Sequence, residues 1–440
     1  MPNPFFHRGP IRDPAYFVGR QRALDQILAL LANTQSVSIV GPRRIGKTSL
    51  LMHLSNPAVY AQAGIAPERV CFVFVDCDGW PQVTQADVYA LLLEELRDAL
   101  EAAGHRVELP DQPAPVSYRA FEQAIRAVVR QQIQLVFMLD EFDALSKNQH
   151  LDTDFFSSLR ALATRHRVAY ITSSTRPLLD LTYTQANVLS SPFFNFFAQI
   201  RLGLFDDDEA AELLSRLSAR AGAAFAPATA GWLRGLAGPH PLLLQIAAYH
   251  AFEALARGAG PAEDAAAEVQ ALFLSDAQAH WTYFWSILAP QDQRLLALLP
   301  LLWRSDPAGL KRLEHAGLVV RRGAEFAPLS DSFAAFVGQQ QVPGLLQSPP
   351  VTLDPQQRTA LLRGQVLDLT RAEFDLLACL LARAGQVIPH RELDAQLWHD
   401  EVPLDPERLK TTVKTLRRAL GADAGCIQNV RGVGYTFAAP

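Results

Sequence analysis

"GPRRIGKTSL", residues 41–50, is the stretch on which the reading of this chain turns. It lies between "SVSIV" (36–40), an apolar β-branched run that predicts a buried strand, and "TSLLMHLS" (48–55), which predicts a helix. In that strand–turn–helix setting, each position of Gly41-Pro42-Arg43-Arg44-Ile45-Gly46-Lys47-Thr48 has a physical task. The glycines let backbone N–H groups curl around phosphate oxygens, and the helix that follows points its positive end at them. Lys47 is expected to reach β- and γ-phosphates and the Thr48 hydroxyl to coordinate Mg²⁺, so Gly41 through Ser49 form the expected nucleotide contact. Arg43 and Arg44 reach either phosphate or a neighbouring acidic group; a surface salt bridge explains them equally well.

Further runs extend the pattern. "VCFVFVDC" (70–77), "LVFMLDEFD" (135–143) and "VAYITSS" (168–174) are continuously apolar, as strands covered on both faces are, and helical stretches separate them. Strands alternating with helices predict a parallel α/β sheet. "LVFMLDEFD" ends in Asp140-Glu141, where Asp140 holds the metal through water with Thr48 and Glu141 polarises the attacking water. Lys47, Asp140 and Glu141 are thus the catalytic candidates. "ITSSTR" places Thr175 and Arg176 at another strand end, where they either sense the γ-phosphate or form a solvated loop.

At 440 residues the chain needs more than one core, and 49% hydrophobic with 19% charged residues is a globular mix. Net charge is −5, so any nucleic-acid contact is a local patch. Cys71, Cys77, Cys379 and Cys426 lack metal-ligand or disulfide-like spacing, which fits a reducing compartment. "MPNPFFHRGPIRDP" has no apolar stretch of signal-peptide type, and "LLALLPLLW" (295–303) is short of a membrane span. The expectation is a soluble, cytoplasmic protein with no membrane partner.

After residue 204 the character becomes helical, with "DDDEAAELLSRLSARAG" (206–222) and "PLLLQIAAYHAFEALARG" (241–258). Helices followed by "GLVVRRGAEFAPLS" (317–330), a short hairpin, predict a winged helix. "GQQQVPGLLQSPP" (338–350) reads as a linker. The expected order is therefore an α/β nucleotide-binding core (1–204), a helical lid (205–280), an inner winged helix (281–340), a linker (341–350) and a small final domain (351–440).

In that final part eleven basic and eleven acidic side chains cancel, but from Arg408 onward six basic residues face one acid, Asp423. "DPERLKTTVKTLRRALG" (405–421) predicts a helix capped by Asp405 and ended by Gly421, with Leu409, Val413, Leu416 and Leu420 toward a core. Thr411, Lys414, Thr415 and Arg418 lie opposite, flanked by Arg408 and Lys410, a basic face of the kind a DNA major groove accepts.

Two resemblances sharpen these readings. "FVGRQRALDQIL" (17–28), "GPRRIGKTSLL" and "DEFD", with "NPFFHRGPIRDPAYFVGR" (3–20), resemble the STAND-type signalling ATPases over residues 3–340, relatives of AAA+ and archaeal initiator ATPases. That resemblance implies a P-loop NTPase that takes ATP or ADP with Mg²⁺ and hydrolyses ATP slowly. It assigns Phe17, Val18 and Gly19 to the adenine pocket. The family's lid motif Gly-x-Pro touches nucleotide; this chain carries Pro239-His240-Pro241 there, so Pro241 is the expected contact. "LTRAEFDLLACLL" (369–381), "VIPHRELDAQLW" (387–398), the basic helix and "IQNVRGVGYTF" (427–437) resemble the OmpR-type winged-helix DNA-binding domain. By that resemblance Lys414 and Arg418 lie on the recognition helix, and Arg431 and Tyr435 in the wing. No phosphoacceptor receiver domain precedes it in this sequence, so the input is not expected to be aspartyl phosphorylation. The combination implies an ATP-controlled DNA-binding regulator, with double-stranded DNA, a homo-oligomer of the ATP state, and RNA polymerase or another protein as partners. A DNA- or nucleoprotein-remodelling ATPase and a signalling scaffold whose last domain binds protein stay open as alternatives.

Overall fold

The computed structural model describes residues 3–5, 8–80, 82–110, 114–182, 192–258, 262–398 and 406–438. Two compact units result, Met1–Arg234 with Pro239–Val269, and Gly235–Gly238 with Gln270–Pro440.

The first unit is built on a parallel sheet of β1 (Val37–Val40), β2 (Val70–Asp76), β3 (Gln134–Asp140), β4 (Val168–Ser174) and β5 (Ala198–Arg201), in the order β2-β3-β4-β1-β5. Alternate side chains of β3 feed opposite faces: Leu135, Phe137 and Leu139 join one apolar cluster, Val136 and Met138 the other. Both faces are buried, which is why these strands read as unbroken apolar runs. β5 was not anticipated, because "AQIR" is short and polar at alternate positions; it pairs with β1 as an edge strand. The order places β4 between β1 and β3, so the carboxyl ends of all three converge, Val40 level with Ser174 and Leu139 with Thr172. In open parallel sheets, ligands sit at such ends. Helices Asp207–Arg220 and Pro241–Ala256 follow; the former starts in a capping box of Asp206 and Glu209.

The second unit contains helices Pro290–Ala297 and Pro307–His315, the hairpin β6 (Val319–Arg322) and β7 (Glu325–Pro328), and helix Asp331–Gly338. An antiparallel sheet comes next: β8 (Leu346–Ser348), β9 (Val351–Asp354), β10 (Thr359–Leu362) and β11 (Gln365–Leu367), with neighbours paired in chain order. The segment expected to be a linker is thus partly strand. Gly and Pro around "LLQS" hide it, and only pairing with β9 reveals it. Arg294, from helix Pro290–Ala297, donates to the fully buried Asp354 of β9 at 2.6 Å.

Helices Arg371–Ala382, His390–Leu397 and Pro406–Leu420 then pack with β12 (Ile388–Pro389), β13 (Ile427–Val430) and β14 (Gly434–Phe437), in the order β12-β14-β13. The expected capping box forms, Thr370 and Glu373 each binding the other's amide. Leu409, Val413, Leu416 and Leu420 are buried in this core. Asp405, the expected cap of the basic helix, lies outside the described residues. A parallel P-loop core joined to a C-terminal OmpR-type winged helix is the resulting architecture. Among the described residues no helix is long and apolar enough to cross a membrane.

At Gly434 a side-chain Cβ would lie 1.9 Å from the Ile388 carbonyl oxygen, so β14 can approach β12 only without one. Gly434→Ala is expected to destabilise the C-terminal domain by about 2–4 kcal/mol in chemical unfolding, as overpacking against backbone does.

Candidate functional site

The turn after β1 is fixed by two glycines. A Cβ on Gly41 would meet the Leu202 carbonyl at 2.4 Å, and Gly46 sits at φ +101°, a left-handed conformation. Helix Lys47–Leu54 begins at Gly46, which has no side chain to cap its first N–H groups. Such an end favours an anion. The Lys47 ammonium, 5% exposed, curls back onto its own loop and donates to the carbonyls of Gly41 (3.0 Å) and Pro42 (3.2 Å). Burial lowers its pKa, opposed by the charges of Glu141, Asp143 and Asp140.

Asp140 accepts from Thr48 at 2.7 Å through one carboxylate oxygen and from Ser173 through the other. Two hard oxygen donors from the P-loop helix and β3 therefore stand side by side, the donor set that suits Mg²⁺. Glu141 leaves the strand at φ +49°, its amide donating to Ser173 Oγ at 3.2 Å. Burial raises its carboxyl above the usual range, with Lys47 pulling the other way. Asp143 accepts from the Thr175 amide (2.7 Å) and hydroxyl (2.9 Å), which holds the end of β4 beside the acids.

A cavity of about 230 Å³ opens over this loop. Of the expected contacts, Phe17, Val18, Arg43 through Ser49, Glu141 and Pro241 line it. Gly19, Gly41, Pro42, Asp140, Thr175 and Arg176 are not among its lining residues. Gly19 has a packing task instead: a Cβ there would crowd Phe205 and Glu209 at 3.1–3.2 Å. Sequence reading missed Arg20, Phe205 and Gln245 among the lining residues. Arg20 is 7% exposed, donates to the Ile45 carbonyl of the P-loop at 3.1 Å, stacks on Phe205 at 4.5 Å and pairs with Glu209 at 4.0 Å. Desolvation lowers its pKa to about 10, with Glu209 and Asp206 opposing. The "FVGR" motif contained the signal, but the partners Phe205 and Glu209 are remote in sequence.

On the C-terminal basic helix, Lys410, Thr411, Lys414 and Arg418 form an exposed stripe, and Arg431 is exposed at the β13–β14 turn. Among the described residues Lys414, Arg418 and Arg431 make no ion pair, whereas Lys410 binds Glu407 at 2.7 Å. Three of the expected residues lie off that exposed stripe. Arg408 turns inward, over the Trp398 ring at 4.1 Å and 3.6 Å from the buried Asp394. Thr415 is half-buried, its hydroxyl donating to the Thr412 carbonyl at 3.1 Å. Tyr435 is 5% exposed and packs its ring against His390 in the core.

A parallel sheet of this order, with a P-loop after β1 and an acidic pair ending β3, defines a P-loop NTPase. The model of the family "Novel STAND NTPase 2" matches residues 23–294, and the chain belongs to that family. The model described as "Transcriptional regulatory protein, C terminal" matches residues 364–437. The transcriptional regulatory protein QseB of Escherichia coli O157:H7 is 38% identical over 87 residues, 20% of this chain and 39% of that protein. Sensory transduction protein RegX3 of Mycobacterium tuberculosis is 33% identical over 95 residues, 21% of this chain and 42% of that protein. The chain therefore spans under half the length of the curated relatives it matches. Among solved structures, the Walker-type ATPase PABY2304 of Pyrococcus abyssi aligns with TM-score 0.54 and 14% identity over 76% of this chain and 99% of that one. The ORC2 protein of Aeropyrum pernix, in ADPNP-ADP complexes, aligns with TM-score 0.51 and 14% identity over 76% and 97%. These last two likenesses are of fold.

Arg408→Ala leaves Asp394 without its cation and removes a cation–π contact, so it is expected to cost roughly 2 kcal/mol of stability. Thermal unfolding checks this; an unchanged midpoint contradicts the inward placement.

Proposed function

We propose that this protein is an ATP-controlled DNA-binding regulator. One observation carries the reading: a single chain joins a P-loop site, with a buried lysine and an uncapped helix end, to an OmpR-type domain with an exposed cationic helix stripe. ATP or ADP occupies the cavity over the P-loop, with phosphates on the amides of Gly46–Ser49 and on Lys47, which exchanges its loop carbonyls for phosphate oxygens. Phe17, Val18 and Pro241 border the base. Thr48 and Asp140 would hold Mg²⁺, which would supply charge neutralisation at the phosphates. Glu141 accepts the proton of the attacking water, so hydrolysis requires its carboxylate form. Because burial raises that carboxyl, turnover falls off on acidification at a higher pH than an ordinary glutamate dictates.

Turnover is slow, and the nucleotide acts as a timed signal. The triphosphate favours an open, self-associating form and the diphosphate a closed one, because each contacts core and lid differently. Self-association aligns several DNA-binding domains and raises avidity. Lys414 and Arg418 approach base edges and phosphates, and Arg431 meets backbone or minor groove. The protein acts in the cytoplasm, with RNA polymerase or another protein as a partner.

Lys47→Ala is expected to abolish binding of ATP and ADP in calorimetry; unchanged affinity contradicts the site. Glu141→Gln should bind ATP yet lose at least about 100-fold in turnover. Lys414→Ala with Arg418→Ala should remove the gel shift of double-stranded DNA at low salt while leaving ATP hydrolysis intact. Retention of the shift places the interface elsewhere, and hydrolysis stimulated strongly by DNA favours a remodelling ATPase.

A further inference from the structure

The family match begins at residue 23, and the segment before Phe17 has been given no role. That segment is tied down at several points. Asn3 Nδ2 donates to the Tyr249 carbonyl (3.0 Å) and to Glu253 Oε1 (2.8 Å), both on the lid helix Pro241–Ala256. Phe5 is 2% exposed, stacked on Phe225 at 5.6 Å and tilted against Phe252 at 6.1 Å. Further along, Gly9, Pro10 and Ile11 line the nucleotide cavity, and the Ile11 amide donates to Ser49 Oγ on the P-loop helix at 3.0 Å. Tyr16 then lies under the Arg220 guanidinium of helix Asp207–Arg220 at 5.3 Å. Phe17 stacks on His53 of the P-loop helix at 4.0 Å.

The attachments alternate between the helices after β5 and the P-loop helix, and between them Gly9, Pro10 and Ile11 form cavity wall. We propose that this segment is a binding element of the nucleotide site: a strap whose Gly9-Pro10-Ile11 wall retains bound nucleotide, with Phe5 and Asn3 as the positioning residues that hold it closed. The proposal rests on the nucleotide reading above. Its physical basis is that Phe5 buries nearly all of its ring, which favours the held strap. The Ile11–Ser49 bond sets that wall one residue from Thr48, so nucleotide leaves only after the wall gives way. Loosening the anchors therefore acts on dissociation more than on association.

Stopped-flow fluorescence with N-methylanthraniloyl-ADP, chased by excess ADP, tests this on the full chain. Phe5→Ala is expected to raise the dissociation rate roughly tenfold with association unchanged within about twofold. Asn3→Ala, at a half-buried position less able to upset folding, is expected to raise it about two- to fivefold. Release at the wild-type rate by both variants overturns the strap. If Phe5→Ala does not fold, Asn3→Ala alone decides. A wild-type chain that binds the probe, with binding lost in Lys47→Ala, isolates the strap as the failing element; a wild-type chain that binds no probe overturns the nucleotide reading and the strap together.

Discussion

The carboxylate of Asp140 holds three elements in register. One oxygen takes the Thr48 hydroxyl from the P-loop helix and the other takes Ser173 from β4, while the residue itself ends β3. At 3% exposure this is a buried anion, tolerable because both of its oxygens are hydrogen-bonded. The strand order makes the arrangement available: with β4 between β1 and β3, the P-loop and the acidic strand end must face one another. Glu141 and Thr175 are then placed by the same convergence, through Ser173 and Asp143.

Buried charge is concentrated around the loop. Lys47 and Arg20 are both below 10% exposed, and each is satisfied by backbone carbonyls of the P-loop segment rather than by a tight carboxylate pair. Carbonyl contacts are weaker than those to phosphate, so the Lys47 ammonium has a better partner in an anionic ligand than in its own loop. Arg20 reaches the P-loop carbonyl at Ile45 on one side and Phe205 and Glu209 on the other, so it ties the loop to the start of helix Asp207–Arg220. That linkage within the first unit gives a nucleotide switch something to act on.

Much of this was legible in the residues. The P-loop, its flanking strand and helix, the acidic end of β3 and the capping box at Thr370 are local patterns, set by neighbours within a few positions. What escaped depends on partners far along the chain. Tyr435 lies in the β13–β14 hairpin where the wing was expected, yet β14 is the central strand of its sheet and the side chain is buried. Arg408 sits at the border of the basic face, and only Asp394 and Trp398 decide that it turns inward. Strands β8 to β11 are short and flanked by Gly and Pro, so pairing defines them where periodicity does not. Arg20 lay within a recognised motif, but its buried role depends on residues of the lid.

The proposed regulation requires coupling between the nucleotide in the first unit and the exposed basic face of the second. The most direct measurement is a titration of double-stranded DNA carrying the protein's binding site, with ADP against a non-hydrolysable ATP analogue, while assembly size is followed by light scattering. The account predicts at least a roughly tenfold tighter grip, about 1.4 kcal/mol, and larger assemblies with the analogue. Equal affinity and equal assembly size in the nucleotide-free, ADP and analogue forms would contradict it.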